Sequence, residues 1–265
     1  MTEAVATERR IVRVPPVLAV GSRFGKYKPE EEKEVRKVQV KEDKVLKKLK
    51  TAWKKVKADA HRFCDDFHRD ALKQVKGLDY SAKDVENFSI VLVEFQGEKY
   101  FSDKAGAFLS ALINNGKDSN YVIHTGHLAR AIDFLGYKNT KNMIVNGNAG
   151  HNVGHGMQDG TINVNGNAGH FVGLAMEAGS IIVNGSAGWD IGYQMINGTI
   201  IVRGNAEFSV GAKMKGGSIT MSGNAGENVG DEMEGGEIRV EGKICEIGPV
   251  RGGKIYHKGK LIVDK

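Results

Sequence analysis

The sequence lacks most of what an enzyme or a secreted protein is built around. It has two cysteines, Cys64 and Cys245, far apart in the chain. That argues against a disulfide framework and points to a reduced, cytoplasmic setting. No apolar run is long enough to span a membrane, and no hydrophobic leader core follows Met1. No P-loop or dinucleotide fingerprint opens a helix after a strand, and Gly185-Ser186-Ala187-Gly188 lacks the spacing of a nucleophile elbow. A lone Ser, His or Asp is always available in a chain this long and decides nothing. The expectation is a protein without a catalytic residue, a resident metal or an organic cofactor.

Glycine is what the chain has in quantity, 35 residues, and it recurs with a period. Five equal stretches begin at Asn142, Thr161, Ser180, Thr199 and Ser218 and share the pattern x-Ile-x-Val-Asn-Gly-Asn-Ala-Gly-x-x-Val-Gly-x-x-Met-x-x-Gly. A fixed period of this length predicts a solenoid, because one unit cannot bury its own apolar face and must stack on its neighbours. Isoleucine and valine at positions two and four (Ile162 and Val164, Ile181 and Val183) predict a strand with one buried face. Glycine at positions six, thirteen and nineteen disfavours helix and suits corners. Two or three short strands per coil, stacked about 4.8 Å apart, would give a parallel β-helix. Asparagines stacked at position seven (Asn148, Asn167, Ser186, Asn205, Asn224) are expected to bond from coil to coil. A sixth, shortened coil runs from Glu237 to Gly253 as a cap.

The Gly-x-x-Gly-x-x-x-Gly run (Gly147, Gly150 and Gly154; Gly166, Gly169 and Gly173; Gly185, Gly188 and Gly192) resembles the glycine-repeat β-helix domain of two families. One is the C-terminal domain of the glutamate synthase large subunit; the other is the C subunit of formylmethanofuran dehydrogenase. The resemblance covers under half of the chain and implies a right-handed parallel β-helix that braces or connects catalytic parts. Glu207 departs from it, standing where the other regular coils have glycine. The chain before Asn142 carries no such likeness, and no amidotransferase nucleophile, iron–sulfur cysteine cluster or flavin-binding barrel is present.

The fold class expected is mainly β. Residues 1–41 form an extended basic arm, 42–141 a helical and α+β capping module, 142–253 a β-helix of about six coils, and 254–265 a charged tail. Within the module, Val45, Leu49, Trp53, Val56, Ala60, Phe63 and Phe67 predict one long helix from Glu42 to about Val75, opposite a lysine-rich face. Ser89–Phe95 reads as a strand turned back at Gln96-Gly97. Ser102 or Asp103 caps a helix to Asn115, Tyr121–His124 is a strand, and His127–Leu135 a short helix.

Charge is unevenly placed. Residues 1–60 hold 17 Lys/Arg against 9 Asp/Glu, whereas the other 205 hold 21 against 23, so the net positive charge lies entirely at the start of the chain. Arg9, Arg10, Arg13, Arg23, Lys26 and Lys28 in the arm, with Lys47, Lys48, Lys54 and Lys55 on the helix, are the candidates for phosphates or another anionic partner. On the coils the variable columns carry rings: His151, His170, Trp189 and Phe208 at position ten, His155 and Tyr193 at position fourteen. Exposed, they would be a protein interface and make a homodimer plausible; strict alternation would instead bury position ten beside the valine of position twelve, unless a corner separates them. His151, His155 and His170 lack a cysteine partner for zinc, and His124 and His127 read as structural. These features predict a non-catalytic scaffold or docking subunit of a larger complex, with an RNA- or ribosome-associated factor as the alternative.

Overall fold

Strands stacked by a fixed repeat need one register to bury isoleucine on isoleucine, and the chain adopts it. The structure, a computed structural model, describes residues 42–57 and 64–265. The expected arm lies outside the described residues. Strands β1 (Asn120–His124), β2 (Asn142–Asn146), β3 (Thr161–Val164), β4 (Ser180–Val183), β5 (Thr199–Val202), β6 (Ser218–Met221), β7 (Glu237–Val240) and β8 (Lys254–His257) form one parallel sheet in sequence order, closed by an antiparallel β9 (Lys260–Asp264). Met143, Ile162, Ile181, Ile200, Ile219, Ile238 and Ile255 pair directly, one above another. Each is 0–1% exposed. The valines of position twelve and the methionines of position sixteen complete a dry interior. This is a mainly β parallel solenoid of about seven turns.

Each coil has one regular strand, not two or three. The rest is stacked turns whose N–H groups donate to the coil before or after, such as Gly173 N to Val153 O at 2.8 Å and Phe171 N to Trp189 O at 2.9 Å. The corners need left-handed backbone. Gly173 holds φ +70°, and a Cβ there would stand 2.4 Å from Ile200 Cδ1. Position eleven is also left-handed without being glycine: Asn152, Phe171, Asp190, Ser209 and Asn228 have φ of 57–60°.

The sheet is longer than the regular repeat at both ends. Residues 120–141 form a further coil: β1 pairs with β2, Gly150 N donates to Ile132 O and Gly154 N to Leu135 O. The helix expected over His127–Leu135 is absent because the backbone there bonds to the next coil instead of to itself. At the other end, Lys254–Lys265 is not a free tail but the hairpin β8–β9.

The helical module closes the first end. The long helix expected from Glu42 is two, α1 (Lys44–Lys55) and α2 (Cys64–Val75), with Val56 already extended. A straight helix over that span would run about 50 Å. Folding back lets Trp53 of α1 and Phe67 of α2 both be buried in one core. The expected strand Ser89–Phe95 is helix α3 (Ala82–Val91) continued by a 3-10 turn, Leu92–Phe95. Ser81 and Asp84 form a reciprocal capping box, and Val85, Phe88, Leu92 and Phe95 are buried at helical spacing, which outweighs the β-branched run. Helix α4 (Phe101–Asn115) ends at Gly116, as expected, although its N-cap is left-handed Tyr100 with no side-chain cap. It is the buried axis of the module, and Gly106 admits the backbone of Asp133: a Cβ there would lie 1.6 Å from Asp133 O.

Candidate functional site

The left-handed residue at position eleven settles where the rings go. It turns the chain between position twelve, which is buried, and position ten, which then points outward. His151 and Phe208 are exposed; His170 and Trp189 are half-buried. Their rings form a continuous stack along the solenoid. Centroids lie 4.6 Å apart for His151–His170, 3.4 Å for His170–Trp189 and 5.2 Å for Trp189–Phe208, with planes within 19° of parallel. Ring faces are used up against one another, so the column offers its edges.

The stack is pinned to the backbone. His151 Nδ1 accepts from His170 N at 3.0 Å, and His170 Nδ1 accepts from Trp189 N at 3.1 Å. An Nδ1 that accepts carries no hydrogen, so the geometry selects the tautomer with hydrogen on Nε2 for both rings. Burial, then the neighbouring His151, lowers the pKa of His170. Asp133 starts the same column from the coil that precedes the regular repeat: its Oδ1 accepts from His151 N at 2.7 Å. Over the two histidines position nine must be small, since a Cβ on Gly169 would stand 2.5 Å from His151 Nδ1 and one on Gly188 2.0 Å from His170 Nδ1; one coil further on, past the histidines, it holds Glu207.

Beside the rings runs the asparagine column. Oδ1 of Asn148 accepts from Asn167 N, and Oδ1 of Asn167 from Ser186 N, at 2.8 and 2.9 Å. The ladder at position seven is therefore side chain to backbone. The amide-to-amide ladder is at position five instead, Asn146–Asn165–Asn184, at 3.0 and 2.8 Å. At the first end of the solenoid the two columns enclose an open groove of about 480 Å³, walled by Asn148, Asn167 and His151 and closed by Ser102, Arg130 and Asp133. Arg130 is held by the carbonyls of Gln96 and Glu98, both at 3.0 Å. Burial and the like charge of Asp133 raise the pKa of nearby Asp103. Arg130 and Asp133 were not among the residues the sequence singled out. The signal was present: Leu135-Gly136 repeats the apolar–glycine pair of positions twelve and thirteen, which sets Asp133 at position ten.

Position fourteen does not join this surface. His155 is wedged between Phe134 and Tyr137, edge-on to Tyr137 at 5.3 Å, with Nδ1 buried and unpartnered; burial lowers its pKa. Tyr193 is half-buried against Phe171, with the Lys213 ammonium 5.6 Å from its ring centroid. Among the described residues no three His, Cys, Asp or Glu side chains converge as a metal-ligand set, and no helix is long and apolar enough to cross a membrane.

The lysines separate. Lys47, Lys48 and Lys55 line one groove of about 370 Å³ with Thr51, Gln74 and Leu78, while Lys54 is exposed outside it. None of these four makes an ion pair among the described residues, whereas Lys50 is held by Glu94 at 2.8 Å and Glu42 at 3.1 Å. His124 bonds Glu86 at 3.0 Å and His127 bonds the carbonyl of Ile90 at 2.8 Å, both holding β1 and its loop to α3. Arg9, Arg10, Arg13, Arg23, Lys26 and Lys28 lie outside the described residues. No protein-family model matches the chain, and no curated protein matches it.

Proposed function

We propose that this chain is a non-catalytic docking subunit, which holds a protein partner along the ring column of its solenoid within a larger complex. One observation carries the reading: four aromatic or imidazole rings stand in line on an outer corner, each fixed by its neighbours. Rigid aromatic edges give a partner contact area at small entropic cost, which is how aromatic residues come to dominate interface cores. The resemblance of the glycine repeat to bracing domains of multisubunit oxidoreductases supports the same role.

The test is recovery of partners by the full-length chain. Trp189→Ala with Phe208→Ala is expected to abolish salt-resistant association while leaving the circular dichroism spectrum unchanged. Retention of the same partners by the double variant would overturn the reading.

A second reading rests on the lysine groove. Three ammonium groups facing one cleft, without an ion-pair partner among the described residues, suit phosphates, so an RNA-associated factor is the alternative. On that reading nucleic acid co-purifies, its affinity falls steeply with salt, and Lys47→Glu with Lys48→Glu and Lys55→Glu removes it while the ring variant does not.

A further inference from the structure

The two ends of the solenoid are finished differently. At the first end α3 packs on β1, and Ser89 Oγ accepts from His124 N at 3.0 Å, so helix and side chain cover the edge of the sheet. At the other end the last strand is β9, held to β8 on one side. No described residue pairs with its outer side. Leu261 and Ile262 are 40% and 41% exposed there, while Val263 packs against the core. An open edge carrying apolar side chains is a template for another strand.

The residues of β9 say which strand fits. Lys260-Leu261-Ile262-Val263-Asp264 is complementary to its own reverse: three aliphatics lie between a cation at one end and an anion at the other. Set antiparallel to a second copy about an axis at Ile262, each Lys260 faces an Asp264, each Leu261 faces a Val263, and the two Ile262 meet. A parallel arrangement in the same register would oppose like charges. Because the first end is covered, head-to-tail stacking into a filament has no second edge to use, and only the closed, isologous contact is left.

We infer that two copies of this chain join tail to tail through antiparallel pairing of β9, which fuses their sheets end to end. This stands independently of what the ring column binds. Sedimentation velocity of the full chain is expected to give twice the 28.8 kDa chain mass. Ile262→Asp is expected to give a monomer. Lys260→Asp alone and Asp264→Lys alone should each weaken the dimer about tenfold or more, since like charges then oppose across the axis. The double variant, with both charges reversed, should restore it. Within the chain Lys254 lies 3.9 Å from Asp264 and is unchanged in every variant, so it cannot produce the rescue. A wild-type chain that sediments as a monomer at high micromolar concentration overturns the inference. So does a dimer that survives both single reversals, or single reversals that the double variant fails to rescue.

Discussion

Phe171, Asp190 and Ser209 hold φ of 59°, 57° and 58°, a backbone that costs an L-residue roughly 1–2 kcal/mol. The cost is offset by a bond to the next coil, as from Asp190 N to Phe208 O at 3.1 Å, and by the buried side chain that follows. The sequence hid this corner, because the position varies among Asn, Phe, Asp and Ser and carries no glycine to mark it. That is why the exposure of position ten could not be decided from the alternation alone. Glycine does mark the corner at position thirteen, and there the prediction is sharp. Gly173→Ala combines a strained φ with a Cβ 2.4 Å from Ile200, and should lose about 2–4 kcal/mol in urea unfolding. Gly97→Ala, with no atom within 4 Å of its Cβ, should be close to neutral.

Histidine gives a second residue-scale prediction. Burial pushes the pKa of His68 down to about 4, and its Nε2 is buried without a partner. His155 and His170 are lowered for the same first reason. A lowered imidazole pKa means the folded chain binds fewer protons than the unfolded one. The stability it contributes is therefore present above the unfolded value near 6.5 and is lost as pH falls from there toward about 4. For His68, only 7% exposed, the loss approaches roughly 3 kcal/mol. Urea midpoints followed from pH 7.5 to 4.5 should fall across that window, and His68→Phe should flatten the fall. A midpoint that holds steady or rises as pH drops would contradict the burial argument.

At the scale of elements, the repeat was legible and its edges were not. Columns of Ile, Val, Ala and Met read correctly because every coil repeats the same burial. The helices were harder. The apolar stripe from Val45 to Phe67 gave helix but not its break, since a single stripe serves one long helix or two shorter ones folded on one core. Ser89–Phe95 misled because Ile90, Val91 and Val93 favour strands locally, while the capping box at Ser81 and Asp84 and the spacing of Val85, Phe88 and Leu92 favour helix. That box can be weighed. Ser81→Ala removes the acceptor of Asp84 N and should cost about 1 kcal/mol in thermal or urea unfolding. Leaving stability unchanged would mean that packing of Phe88 and Leu92 alone sets the helix start. The coil at 120–141 escaped because the step from Asn120 to Asn142 is longer than the step from Asn142 to Thr161, which breaks the period while the register of β1 on β2 is kept.

For the molecule as a whole, equivalent positions of successive coils stack directly on one another, so any outward column is continuous as long as the register is. The docking surface is thus a consequence of the repeat: its constant length sets His170 under Trp189 and leaves both at the rim. Disulfide trapping in the full chain, with Cys64 and Cys245 replaced by serine, measures this most directly. Neighbouring coils sit about 4.8 Å apart, within the Cα separation a disulfide spans, whereas coils two apart sit at about twice that. The account predicts that His170→Cys with Trp189→Cys crosslinks rapidly under mild oxidation, that His151→Cys with Trp189→Cys does not, and that each single cysteine reacts readily with a water-soluble thiol reagent. Equal crosslinking of the two pairs, or cysteines at these positions shielded from the reagent in the free chain, would contradict it.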